Sequence, residues 1–161
     1  MIDFLRHLLG GGRPDLSDAT ARDATAIAAL HAAAFRRGWS DEEVEQMLTD
    51  RAVVAHRVRL GRTTAGFVMS RQAADEAEIL SIAVTSRARG RGIARQLLNL
   101  HLRRLAGLGT RTVFLEVDEH NAAAIRLYDS AGFREVARRP NYYPHPDGKT
   151  AAALVLRRDL A

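Results

Sequence analysis

The chain reads as a single α/β (α+β) domain on one mixed, mostly antiparallel sheet, with a parallel strand pair near its middle and helices on its flanks. Three observations predict this. At 161 residues the chain holds about one domain's worth of sequence. Such a domain buries roughly two thirds of the surface its unfolded chain exposes, enough to fold without a metal or disulfide. Segments of helical period alternate with short β-like runs along its whole length. In the middle, an apolar strand, a glycine-rich turn, a long amphipathic helix and another strand succeed one another, the order that makes two strands parallel.

The elements follow in order. Met1 to Gly12 carries Ile2, Phe4, Leu5, Leu8 and Leu9 in a short amphipathic pattern. It lacks a basic leader, a long apolar core and a small-residue cleavage site, so it reads as an extension over residues 1–14, a short docked or frayed helix, rather than a signal peptide. The domain proper is expected over 15–161. Ser17-Asp18 precedes an alanine-rich helix over 24–34, with Ile27, Leu30 and Ala34 on one face. Ser40 followed by Glu43 is a capping-box pattern for a second helix over 40–49. Strands are expected over 52–58 and 65–70, turned at Gly61, and a third over 78–84. In the long helix, Ala94, Leu97, Leu98, Leu102 and Leu105 make one apolar stripe, ended by Gly107 and Gly109. A strand over 112–117, a short helix over 122–130 stopped by Gly132, and strands over 133–138 and 151–157 complete the chain. The last two strands are expected to be joined by a loop rich in proline and tyrosine.

Composition narrows the chemistry. Hydrophobic residues make up 47% and charged residues 27%, which excludes wholesale disorder. There is no cysteine, so disulfide scaffolds, thiolate metal sites and cysteine nucleophiles are excluded, and a reducing cytoplasm is the fitting compartment. The net charge is +5, and Lys149 is the only lysine. The arginines occur singly or in pairs, never as a block, and aromatic residues make up only 6%, so nucleic-acid binding is not expected. No apolar run approaches the ~20 residues of a membrane span. The six histidines show no i, i+4 pair, so no metal is expected. His101 falls on the apolar stripe and reads as a core histidine. No Gly-x-Ser-x-Gly elbow supports hydrolase chemistry.

Three segments carry chemistry. Arg89-Gly90-Arg91-Gly92-Ile93-Ala94 links the 78–84 strand to the long helix. A strand, a glycine-rich turn and a helix start aim free backbone N–H groups at one point, a seat for phosphate oxygens aided by the helix dipole. It is neither a Walker pattern nor a dinucleotide fingerprint. In Val113-Phe114-Leu115-Glu116-Val117, period two puts Glu116 on the face opposite its apolar neighbours. A carboxylate there is either desolvated toward general-base use or held in a salt bridge. Asn121 opens the short helix and Tyr128 lies two turns on along the same face. Taken singly they read as an N-cap and a core tyrosine.

Taken together, these residues resemble the GNAT acetyltransferase superfamily. Arg89-x-x-Gly92-x-Ala94, after an apolar strand and opening a helix, is similar to its pyrophosphate motif. Leu115-Glu116-Val117, Asn121-Ala122-Ala123-Ala124-Ile125, Leu127-Tyr128 and Gly132-Phe133 resemble the branch of ribosomal-protein-alanine N-acetyltransferases, as do Asn141-Tyr142-Tyr143-Pro144 and Asp147-Gly148. The likeness is strongest over 78–148. It implies a splayed central parallel pair and acetyl-CoA as the acetyl donor. It also implies direct transfer to a primary amine, most aptly the N-terminal alanine of a ribosomal protein. Ile82, Ala83 and Val84 would offer backbone groups to the pantetheine arm. Arg89, Gly90, Arg91, Gly92, Ile93, Ala94 and Arg95 would cradle the pyrophosphate, and Asn121 would bond near the thioester. Glu116 would be the general base, through a water, and Tyr128 the general acid for the departing thiolate. Trp39, Asn141, Tyr142 and Tyr143 would line the acceptor slot. An acidic patch from Asp75, Glu76, Asp118 and Glu119 is expected to receive a basic acceptor, with His120 a weaker candidate for touching it. A small amine or a lysine as acceptor, and a non-catalytic CoA-binding module, remain as alternatives.

Overall fold

A computed structural model describes residues 12–160; the short helix expected at the start of the chain lies outside these described residues. Strand β1 (Asp15–Asp18) is followed by helices α1 (Ala24–Ala34) and α2 (Asp41–Thr49), then β2 (Val53–Leu60), β3 (Thr63–Ala73) and β4 (Glu76–Val84). Helix α3 (Ile93–Gly107) leads to β5 (Thr112–Asp118), α4 (Ala122–Ser130), β6 (Arg134–Pro144) and β7 (Thr150–Asp159). The strands form one sheet in the order β1-β2-β3-β4-β5-β7-β6. Among the described strands only β4 and β5 run parallel, as the intervening α3 crossover requires; the other pairs are antiparallel.

The helices form where their local chemistry says they should. Ser40 caps α2 reciprocally: its hydroxyl accepts from Glu43 N at 3.1 Å, and its own N–H donates to the Glu43 carboxylate at 2.8 Å. The start signal for α1 is Thr20 with Asp23, whose carboxylate accepts from Thr20 N at 2.8 Å. Ser17 and Asp18 instead belong to β1, an edge strand that short, polar sequence conceals. The buried face of α1 is Ala24, Ile27, Ala28 and His31, while Ala34 is exposed, so the expected face is rotated. The loop expected over Asn141–Pro144 is strand. β6 skips register between Arg139 and Tyr143 and resumes against Ala151. Asn141 turns this bulge with φ +55°, a conformation that asparagine tolerates, and Thr150 Oγ1 donates to its carboxamide at 2.6 Å.

Two apolar clusters sandwich the sheet. α3 and α4 cover one face, where Ile93, Leu97, Leu98, Leu102 and Leu105 meet Val68, Ile79, Val113, Leu115 and Leu156. α1 and α2 cover part of the other, with Ile27 and Val44 against Phe67 and Met69. Inside the first lies a polar chain. Ser70 Oγ is 2.6 Å from His101 Nε2, His101 Nδ1 is 2.7 Å from His56 Nδ1, and His56 Nε2 is 3.3 Å from the Asp18 carboxylate. The carboxylate beside His56 Nε2 favours the proton on that nitrogen, so His56 Nδ1 accepts from His101 Nδ1–H and His101 Nε2 accepts from Ser70 O–H. His101 is thus the satisfied core histidine expected from its place on the stripe.

Candidate active site

The parallel pair opens into a V. β4 and β5 pair only from Glu76–Thr112 to Ile79–Leu115, although both strands run on to Val84 and Asp118. A bulge explains the parting. Met69 opposes Ser81 while Ser70 opposes Ile79, so Leu80 is an extra residue on β4, and such an insertion bends and twists its strand. Beyond it, Ile82, Ala83 and Val84 pair with β3 on one edge only. Their other edge faces the V with backbone groups unpaired by any described strand, as an extended amide ligand needs. Gly66 lets β3 approach closely: a Cβ there would lie 3.0 Å from Ala83 O.

At the mouth of the V, Gly92 starts α3 in the left-handed region, φ +72°, with no side-chain cap. The first helical bond is Gln96 N to Gly92 O, so the N–H groups of Ile93, Ala94 and Arg95 have no helical acceptor. A Cβ at Gly90 or Gly92 would meet nothing within 4 Å, so the space before these donors is open. Arg89, Arg91 and Arg95 are exposed around it. The residues fit a diphosphate.

Glu116 points away from the α3 cluster, alternating with buried Val113, Leu115 and Val117. It borders an open depression of about 350 Å³, shared with Glu78, Phe114, Arg139 and Val155. Its setting is ionic rather than apolar: Arg139 Nη2 lies 3.2 Å from Glu116 Oε1. Across the sheet, Tyr128 is 6% exposed, its ring edge-on to Phe133 at 5.8 Å. Burial, with Tyr143 nearby, pushes the Tyr128 phenol well above its ordinary pKa, so the hydroxyl keeps its proton at any physiological pH. Tyr143 is also pushed up, by burial first and then by Glu116, Tyr142 and Asp118, against Arg139. It is therefore the residue electrostatically coupled to both Glu116 and Tyr128. Asn121 is the N-cap of α4, accepting from Ala124 N at 3.2 Å through Oδ1.

The α1–α2 connection, which carries Trp39, meets the end of β6, which carries Asn141, Tyr142 and Tyr143. Arg36 Nη1 donates to Pro144 O at 3.0 Å, joining the α1–α2 connection to the end of β6. Trp39 stacks on His31 with ring centroids 3.8 Å apart, and its N–H donates to His31 Nδ1 at 3.1 Å. Burial lowers the pKa of His31 against the opposing pull of Glu43, keeping the ring neutral under the indole. The expected acidic patch does not assemble. Asp75 and Glu76 sit where β4 begins, and Asp118 lies six residues along β5 from the partner of Glu76, about 20 Å at strand rise. Asp118 is also bonded to His145 at 2.9 Å and Glu119 to Arg138 at 3.0 Å. His120 is exposed, edge-on to His145. Arg36, His31 and Arg139 escaped the sequence reading. A histidine four residues after Ile27 signals His31; Arg36 and Arg139 look like any other surface arginine.

No group of three or more His, Asp or Glu among the described residues could hold a metal, and none of their helices is long and apolar enough to cross a membrane. The profile of the Acetyltransferase (GNAT) family matches residues 24–133. A relative from Escherichia coli K12, named ribosomal protein bS18-alanine N-acetyltransferase, is 35% identical over 117 residues, covering 73% of this chain and 78% of its own. One of the same name from Haemophilus ducreyi is 37% identical over 90 residues, 56% of this chain. That alignment spans 62% of the Haemophilus protein, less than two thirds of its length. The crystal structure of the E. coli ribosomal-protein-S18-alanine N-acetyltransferase superposes with a TM-score of 0.86 at 29% identity, over 92% of this chain and 95% of that one. Ard1 from Thermoplasma volcanium shares the fold, with a TM-score of 0.80 at 22% identity over 92% and 98% of the two chains. The chain belongs to the GNAT family of acetyl-CoA-dependent N-acetyltransferases.

Proposed function

We propose that this protein acetylates the α-amine of a protein N-terminus, with alanine as first residue and a ribosomal protein as its natural acceptor. The observation that carries this reading is that β6, whose end meets the α1–α2 connection, also carries the arginine that pairs with Glu116. Arg36 ties the α1–α2 connection to Pro144, while Arg139, from the same strand as Pro144, reaches the carboxylate and Tyr143 feels its charge. The names of the Escherichia and Haemophilus relatives agree with it. A cytoplasmic location suits such an acceptor. We take residues 15–161 as the catalytic domain and 1–14 as an extension.

Acetyl-CoA, when bound, supplies the acetyl thioester. The free edge of Ile82, Ala83 and Val84 would hold its pantetheine arm. Arg89, Gly90, Arg91, Gly92, Ile93, Ala94 and Arg95 would hold its pyrophosphate, and Asn121 would bond near the thioester. Glu116 then draws a proton from the incoming amine through a water, and Tyr128, protonated by its burial, delivers one to the departing thiolate. An α-amine ionises near 8 and a lysine near 10.4, so lysine needs ~3 kcal/mol more deprotonation at neutral pH. A modest base therefore suffices for a chain terminus. Trp39, Asn141, Tyr142 and Tyr143 line the slot that selects it, Asn141 by shaping the bulge.

Intact-mass analysis of two peptides incubated with acetyl-CoA tests the reading. One carries a free N-terminal alanine and no lysine; the other has a blocked N-terminus and one lysine. A single acetyl group gained on the first alone is expected. Acetylation of the second alone, or of neither, overturns it in favour of a lysine, a small amine or a silent CoA-binding module.

A further inference from the structure

We propose that Arg139 is the positioning residue of the general base, holding the Glu116 carboxylate in its reacting orientation and tying it to the acceptor segment. The assignment rests on reading Glu116 as that base. Glutamate has a long, freely rotating side chain, and a base must be held in place to work. Glu116 lies on β5 opposite Val155 of β7, and Arg139 lies on β6 opposite Ala153. The guanidinium therefore crosses β7 to reach the carboxylate at 3.2 Å. Ala153, presenting only a methyl group, leaves the space for that crossing.

The register explains why Arg139 chooses Glu116. Asp118, not Glu116, stands opposite Ala153, in line with Arg139, but its Oδ2 is 2.9 Å from His145 Nε2. With that carboxylate engaged, Arg139 takes the diagonal partner. Its other side is limited by Tyr142, whose ring centroid is 5.6 Å from the guanidinium carbon, a cation–π contact. Arg139 is also the last residue in register before the β6 bulge that carries Asn141 and Tyr142. Among the described residues only Oε1 of Glu116 is engaged, which leaves Oε2 for the water or amine. Arg139 is 58% exposed and Glu116 23% exposed, so the carboxylate keeps contact with solvent when Arg139 is replaced and the fold is not at stake.

A double-mutant cycle on the full-length chain, with steady-state kinetics on the alanine peptide, tests this. Arg139→Met is expected to lower kcat at least tenfold with the KM for acetyl-CoA unchanged. Arg139→Lys, which restores the charge, should return kcat to within about threefold of the wild type. In the Glu116→Gln background, Arg139→Met should cost nothing further, because the residue acts through the carboxylate. A wild-type kcat for Arg139→Met overturns the assignment, and so does a further tenfold loss in the Glu116→Gln background. A Glu116→Gln enzyme with wild-type kcat instead brings down the base itself, and the role of Arg139 with it.

Discussion

Two clusters of ionisable side chains lie on opposite faces of one sheet and have opposite fates. On the α3 side, Asp18, His56, His101 and Ser70 form a chain whose inner members are sealed, with His101 fully buried. On the other side, Glu116 and Arg139 border an open depression, with the Tyr142 ring against the guanidinium and Tyr143 coupled to the carboxylate's charge. The first has every polar side-chain atom of Ser70, His101 and His56 committed to a neighbour, so its chemistry is spent on holding β2, β3 and α3 together. The second keeps one carboxylate oxygen and two phenols in reserve beside solvent. Burial with full pairing makes structure, whereas partial burial with one partner missing leaves a site ready for substrate.

Breaking the sealed cluster should therefore cost stability without touching the reaction. His101→Ala opens a cavity and strips Ser70 and His56 of their shared partner, an expected loss of about 2–5 kcal/mol. Below the melting transition, kcat should stay at the wild-type value. Urea midpoints and initial rates at the same temperature check both halves. A fall in kcat with an unmoved midpoint would join the histidine chain to catalysis and dissolve the contrast.

Tyr128 sharpens the comparison because it belongs to both worlds, packed in the α3 cluster yet coupled to Tyr143. Tyr128→Phe keeps the ring against Phe133 and deletes only the hydroxyl. The thiol of the leaving group ionises near 8.5, so it needs less help than most leaving groups. A kcat loss of about tenfold to a hundredfold is expected, at the low end for a general acid. Acetyl-CoA affinity, followed by titration calorimetry, should hold. An equal loss of affinity would make Tyr128 a cofactor contact rather than an acid.

Much of this molecule was legible in its sequence, for physical reasons that also mark the limits. The α3 stripe, the Ser40 cap and the alternation that turns Glu116 outward are short-range patterns, and each holds. The glycine-rich turn was readable because positive φ at Gly90 and Gly92 selects glycine. β1 was hidden because its four residues, three of them polar, form a strand only by pairing with β2. The acidic patch failed because proximity in composition says nothing of register: Glu76 and Asp118 lie at opposite ends of the parallel pair. Arg139 was invisible for the same reason, since its partner is two strands away and set by a bulge no local pattern announces. Contacts across several strands are the information that a one-dimensional reading lacks.

The sealed cluster also leaves a mark in the dependence of stability on pH, the smallest effect per step of the three. Burial lowers the pKa of His101 to about 3, helped by neighbouring His56. Burial lowers His56 too, opposed by Asp18 and aided by Arg104, and lowers His31 under Trp39. All three take up a proton less readily in the fold than in the unfolded chain, where each is protonated below about 6.5. The unfolded state thus binds more protons as pH falls, and stability, complete above 6.5, declines below it by up to ~1.4 kcal/mol per pH unit per histidine. For His101 the decline runs on toward pH 3, where the folded state protonates as well. Urea midpoints taken every half unit from pH 7.5 to 5 should fall steadily below 6.5. In His101→Ala the descent should be shallower by about one proton's worth of slope. A wild-type midpoint that does not move between pH 6.5 and 5 would mean that the histidine chain takes up protons inside the fold. The two faces of the sheet would then differ in exposure but not in how freely they titrate.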